Sequence, residues 1–240
     1  MTLAARNLSL AGRLKDVSCV LERGGITAIC GPNGAGKSSL LQVLAGLLAQ
    51  DTGEVTLDGE RLSSLGSRAK RLGYLPQTPE IAWDVTVRSV VELGRIAHRD
   101  AASAPVDAAI AAMDLAGYES RRAQALSGGE QARVLLARVL AGEPEWILAD
   151  EPLAALDIGH QQALVGHLER EARAGRGVVL VLHDLAMAMN HADRVLVLDK
   201  GRLVADAGPG EALSSERIAE VWGVETRWLG EEGARALAHA

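Results

Sequence analysis

The chain is poor in several features that would each have pointed somewhere. Lysine and arginine number 25 against 31 aspartates and glutamates, a formal net charge of −6. A duplex binder normally carries a basic surplus or stripe, so this balance gives no general reason to bind nucleic acid, and any nucleotide binding has to be local. Cysteine is nearly absent. Cys19 and Cys30 lie in apolar, strand-like runs, which predicts small buried hydrophobes in a reducing compartment rather than a disulfide. No apolar run approaches the roughly 18 residues of a membrane span, and the first residues lack the charged-then-apolar pattern of a signal peptide. Both predict a cytoplasmic protein. There is no internal repeat and no low-complexity segment. With 240 residues, 48% of them hydrophobic and 23% charged, the chain can bury the core of one large domain or two small lobes.

What is present centres on Gly31-Pro32-Asn33-Gly34-Ala35-Gly36-Lys37-Ser38. Ile26 to Cys30 reads as a short buried strand before it. Ser39 to Leu48 after it reads as a helix with Leu40, Leu44, Leu47 and Leu48 on one face. Glycines at 31, 34 and 36 let the loop curl so that consecutive N–H groups point inward, and the positive end of the helix dipole adds to that field. Anionic oxygens fit there. Lys37 reaches β- and γ-phosphates as a point charge and the Ser38 hydroxyl suits Mg²⁺.

In chain order, Leu3 to Leu10 and Val17 to Leu21 read as edge strands around a turn at Gly12, and Glu54 to Leu57 with Asp58-Gly59 as a hairpin corner. A strand from Leu72 to Pro76 runs into Gln77. Helical patterns follow over Val85 to His98, Val106 to Leu115 and Glu130 to Ala141. Strands return at Trp146 to Ala149 and Val178 to Leu182, and Val195 to Leu198 with Leu203 to Ala205 forms a hairpin around Asp199-Lys200-Gly201. The fold class is α/β, interrupted by a helical insert of about residues 78–140. Val178 to Leu182 is continuously apolar, as a strand buried on both faces of a parallel sheet should be. Ligands of such sheets lie at the carboxyl ends of the strands. The tail from Gly230 to Ala240 is small and charged and is expected to be a solvated or frayed end.

Two further stretches carry chemistry. Trp146 to Glu151 delivers Asp150 and Glu151 at a strand's carboxyl end, where Asp150 can hold Mg²⁺ and Glu151 can polarise an attacking water. Leu126-Ser127-Gly128-Gly129-Glu130 reads locally as a capping box, Ser127 answered by Glu130. That does not account for two glycines. A helix N-terminus bare of side chains is a second phosphate-binding surface.

Placed between the phosphate loop and the Asp150-Glu151 pair, Leu126 to Glu130 resembles the signature of ATP-binding cassette (ABC) ATPases. The resemblance runs from about Leu3 to Leu229. Its stations stand in the family's order: the phosphate loop, Gln77, the signature, Asp150-Glu151 followed by Ala155-Leu156-Asp157, and His183. It implies a P-loop NTPase (RecA-like) core, about 1–77 and 141–240, with an N-terminal antiparallel β subdomain and an inserted helical subdomain. It implies ATP bound by Gly31, Pro32, Asn33, Gly34, Ala35, Gly36, Lys37, Ser38 and Ser39. From the opposite subunit of a head-to-tail homodimer, Ser127, Gly128, Gly129, Glu130 and Asp157 would complete the site. Ser38, Gln77 and Asp150 would serve Mg²⁺, and Glu151, His183 and Gln77 catalysis.

One departure stands out. Family members usually place an adenine-stacking aromatic a little over twenty positions before the phosphate-loop lysine, where this chain has Leu10-Ala11-Gly12-Arg13-Leu14. Either Arg13 or Leu14 covers the base, or adenine is held loosely. Val85 to His98 and Val221 to Trp228 look like segments of the ATPases of iron-siderophore, haem and cobalamin importers. The resemblance therefore implies a peripheral ATPase on the cytoplasmic face of the inner membrane. It would dock on permease subunits and serve a substrate-binding protein indirectly, without nucleic acid. The alternatives are a cassette of another importer or exporter, or a non-transport ABC ATPase of the DNA-repair type. The last would need long heptad segments that the insert is too short to hold.

Overall fold

The structure, a computed structural model, describes residues 1–61, 65–77, 81, 84–154 and 156–240. Ala155 and positions 78–80 and 82–83 of the expected insert lie outside them. The chain opens with β1 (Thr2–Leu10), β2 (Leu14–Glu22) and β3 (Ile26–Cys30), then α1 (Lys37–Ala45), β4 (Thr52–Leu57), β5 (Glu60–Arg61), α2 (Leu65–Arg71) and β6 (Leu72–Leu75). A helical stretch follows with α3 (Val87–Glu92), α4 (Ser103–Ala112) and α5 (Gly128–Ala141). Next come β7 (Trp146–Asp150), α6 (Ile158–Arg173), β8 (Gly177–Val181), α7 (Leu185–His191), β9 (Arg194–Asp199) and β10 (Arg202–Ala207). The chain closes with α8 (Pro209–Ala212), α9 (Ser215–Trp222), β11 (Thr226–Leu229) and β12 (Ala236–His239).

The central sheet has the order β10-β9-β3-β8-β7-β6, parallel except for the antiparallel edge strand β10. Every residue of β3, β7 and β8 is buried, because both faces are covered. Alternate residues go to opposite sides: Ala28, Ile147, Val178 and Leu180 pack with the helical layer, while Ile29, Leu148, Val179 and Val181 pack against α1 and the first strands. A second sheet, β2-β1-β4-β5, is antiparallel. Leu40, Leu41 and Leu44 of α1 are fully buried with residues of both sheets. Each such leucine contributes on the order of 1.5–3 kcal/mol.

Several expectations need correction. β1 is not an edge strand, since it pairs with both β2 and β4. α1 stops at Gly46 in the left-handed conformation, so Leu47 is 60% exposed instead of extending the apolar face. The expected helix over Val85 to His98 is only α3 plus a 3₁₀ turn at Leu93–Arg95. Gly94 lets this turn press against α5, where a Cβ would overlap the Arg138 carbonyl. Val87, Val90 and Val91 are buried but Ile96 points out, 69% exposed. The tail is not frayed: β12 pairs with β11, and the Asn190 side chain clamps the Arg235 backbone, donating to its carbonyl at 2.8 Å and accepting its N–H at 2.8 Å. Both cysteines are free and buried, and burial pushes the Cys30 thiol up to about 12 and Cys19 to about 11, which keeps both inert at neutral pH.

Candidate active site

The carboxyl ends of β3, β7, β8 and β6 deliver Gly31, Asp150, Leu182 and Pro76, and the chemistry collects just beyond them. Gly31 must be glycine twice over: its φ is +149°, and a Cβ would overlap the Leu198 carbonyl oxygen. Gly36, at φ +102°, lies so close to the Arg13 carbonyl that a Cβ would come within 2.5 Å. The loop is thereby held against the strand beneath it and against the β1–β2 turn. It ends in α1, whose first residue is Lys37.

Lys37 is 6% exposed, and its ammonium donates to the carbonyls of Gly31 at 2.8 Å and Pro32 at 3.0 Å. Burial lowers its pKa, while Glu151, Cys30 and Asp150 pull the other way. Ser38 Oγ donates to Asp150 Oδ1 at 3.0 Å. Asp150 is 2% exposed, and burial raises its carboxyl above the usual range against the lowering effect of that hydrogen bond. These are two hard oxygen donors. Their separation matches the edge of an octahedral shell whose metal–oxygen distance is about 2.1 Å, so the pair fits Mg²⁺.

Glu151 is the residue whose geometry the sequence could not announce. It follows the end of β7 with φ +50°, a left-handed conformation uncommon for a long side chain, and such positions cost on the order of 1–3 kcal/mol and gather at functional sites. The turn sends its carboxylate between two partners. Gln77 Nε2 donates to Oε2 at 2.8 Å, and His183 Nε2 lies 2.5 Å from Oε1. A cleft of about 270 Å³ is lined by Arg13, Asn33, Gly34, Gly36, Lys37, Ser38, Ser39, Glu151 and His183. It joins a glycine-rich anion cradle, a buried cation, a hard-metal donor pair and an oriented carboxylate, a set suited to in-line attack of water on a terminal phosphate.

The remaining candidates stand apart. Ser127 to Glu130 and Asp157 do not line this cleft. Ser127 caps α5 with the reciprocal box: Glu130 Oε2 accepts the Ser127 N–H at 2.8 Å and Ser127 Oγ accepts the Glu130 N–H at 3.3 Å. The Ser127 N–H holds the Glu130 carboxyl below its usual range. Helix geometry leaves the N–H groups of Gly128 and Gly129 without intrahelical acceptors. Ser127 and Gly128 are exposed. Asp157 caps α6 by accepting the His160 N–H at 2.9 Å. His160 itself, packed against Gly129, is a residue that motif reading passed over. Its only sequence signal is the three-residue spacing from Asp157.

The family model described as "ABC transporter" matches residues 14–154. The protein named "hemin import ATP-binding protein HmuV" of Rhizobium meliloti (strain 1021) is 40% identical over 92% of this chain and 90% of its own length. Among solved structures, the inward-facing conformation of a putative metal-chelate type ABC transporter superposes with a TM-score of 0.83 at 24% identity, covering 99% of this chain and 96% of that one. A dimeric ATP-binding cassette in a post-hydrolysis state with ADP and phosphate bound matches at TM-score 0.76 and 27% identity, over 86% of this chain and 98% of that one. With the family model spanning more than half of its residues and a relative of this identity along nearly all of it, the chain belongs to the ABC transporter family, as an ATP-binding subunit whose ATP hydrolysis is coupled to transport.

Proposed function

We propose that the chain powers the import of a metal chelate, with hemin as cargo. It would act as a homodimer docked on separate permease subunits at the cytoplasmic face of the inner membrane, with a substrate-binding protein delivering cargo to the permease. Hemin is favoured over other iron chelates and cobalamin because the relative with 40% identity is named for hemin import. The test of cargo is ATPase activity of the assembled membrane complex, which should rise with hemin and not with a siderophore or cobalamin. The reverse response would reassign the cargo.

Within the site, Lys37 and the Gly31–Gly36 amides bind the β- and γ-phosphates. Ser38 and Asp150 would hold Mg²⁺, with Gln77 as a further candidate, and the metal would supply charge neutralisation to the triphosphate. Glu151 accepts the proton of the attacking water, and His183 and Gln77 fix its carboxylate and the γ-phosphate. Ser127, Gly128, Gly129 and Glu130 of the partner copy, with Asp157, close the other side, so that the triphosphate is shared by two helix N-termini. Hydrolysis replaces one bridging anion by two separable ones, and the dimer opens.

The observation carrying this reading is Glu151, backbone in the left-handed region and carboxylate held by Gln77 and His183. Glu151→Gln should keep ATP binding and lower turnover by about 10²–10⁴-fold, the range for general-base loss. Normal turnover in that variant would remove Glu151 as the base. At the base end, the Arg13 guanidinium takes the place of the missing aromatic, offering a flat cationic surface to adenine.

A further inference from the structure

Gly129 is buried although Ser127 and Gly128, just before it at the start of α5, are exposed. The atoms nearest to where its Cβ would stand all belong to one side chain of another element. A Cβ on Gly129 would overlap the His160 ring at Cδ2 and Cγ and come within 2.6 Å of Nε2. The imidazole therefore occupies the space a side chain at 129 would need. The ring is held from its other side: His160 Nδ1 lies 2.8 Å from Asp157 Oδ2, while Asp157 Oδ1 accepts the His160 backbone N–H at 2.9 Å. Both oxygens of one carboxylate thus grip one histidine, and the histidine abuts the second residue of α5.

We propose that His160 is a positioning residue that locks the Asp157 turn to the Gly128-Gly129 helix start of the same subunit, so that both reach the partner's nucleotide as one rigid edge. The inference rests on the composite-site reading above. Its physical basis is that the His160 ring bridges the starts of α5 and α6, and those N-termini carry the groups that must meet a ligand outside the subunit. Without the ring, the two starts can swing independently, and ordering them falls to the moment of closure. The contact also gives Gly129 a reason to be glycine within its own subunit, separate from any approach of phosphate.

The test uses the purified full-length chain and MgATP. Steady-state ATPase, and MgATP-driven dimerisation in a Glu151→Gln background, are read for His160→Ala, Gly129→Ala and the double variant, with Ser127→Arg as control. His160→Ala should lower kcat about ten-fold, the scale of one lost charge-assisted hydrogen bond with its packing. Monomer affinity for MgATP, set by the Lys37 half, should stay within about two-fold, the split expected of an interaction made only on closure. His160→Asn, which keeps a donor near the Nδ1 position, should recover part of the loss. Gly129→Ala should be impaired alone yet add little in the His160→Ala background, because the ring it would strike is gone. Unchanged kcat in His160→Ala, or losses that multiply in the double variant, would overturn the inference while leaving the composite site standing, provided Ser127→Arg is inactive. Full activity in Ser127→Arg would instead overturn the composite site, and this inference with it.

Discussion

The phosphate-loop half and the signature half of this chain are both glycine-rich starts of helices, yet they are finished to different degrees. Around Lys37 the side chains answer one another inside the subunit: Lys37 to two loop carbonyls, Ser38 to Asp150, Glu151 to Gln77 and His183. Around Ser127 the hydrogen bonds close the cap, Ser127 to Glu130 and back, with Glu130 also bonded to Tyr118. Ser127 to Glu130 are not among the residues lining the cleft around Lys37. A helix end left exposed and capped, away from the cleft around Lys37, is what the proposed composite site requires of the signature half. On the proposed reading, the difference separates the labour: binding and chemistry belong to one half and completion to the other.

The comparison can be broken at several points. The largest effect is expected from Ser127→Arg, which should abolish turnover of the dimer while the isolated chain still binds MgATP normally. Equal loss of binding measured by nucleotide titration would show that the two halves are not separable. Chelating Mg²⁺ should also stop turnover, through the Ser38–Asp150 pair, with nucleotide still retained at reduced affinity in a filter-binding assay. A smaller effect attaches to Arg13→Ala, where losing a cation–π contact of about 0.5–1 kcal/mol should weaken ATP several-fold and narrow the preference for ATP over GTP. Unchanged affinities in a competition assay would return adenine to Leu14 or to loose holding.

The smallest is a stability effect on the helical layer. His167 of α6 is 2% exposed and faces Asp114 at 3.5 Å, Arg133, and Arg170, which contacts its Nδ1. Burial, with the arginines, lowers its pKa below 6.5. The fold therefore holds it neutral while the unfolded chain takes up a proton, so its contribution is present above about pH 6.5 and is lost as pH falls below that value. His167→Gln should flatten the fall of Tm between neutral and mildly acidic pH. An unaltered pH profile would show that His167 does not titrate in this range.

Much of this was legible in the sequence, and the failures have a common cause. Strand and loop chemistry is local: the run before Gly31, the strand carrying Asp150 and the capping box at Ser127 can each be read from neighbours in the chain. The misreadings all depend on distant partners. Ile96 has an apolar residue's pattern but no surface to cover, α3 ends where Gly94 meets α5, and the charged tail is ordered because β11, Asn190 and the Trp228 indole bond to Leu213 wait for it. Residue types gave no sign of the left-handed backbone at Glu151 or of the ring of His160 against Gly129. Those two features are set by tertiary packing, and they are where the site is tuned.

Complementation between two inactive chains tests the shared site most directly. Lys37→Ala destroys the loop half and Ser127→Arg the signature half, so homodimers of either variant contain no intact site. A mixed dimer contains one, built from the unaltered Lys37 of one chain and the unaltered Ser127 of the other. The account predicts that mixing the two purified variants restores single-turnover ATP hydrolysis that neither shows alone. A mixture as inactive as its components would contradict it.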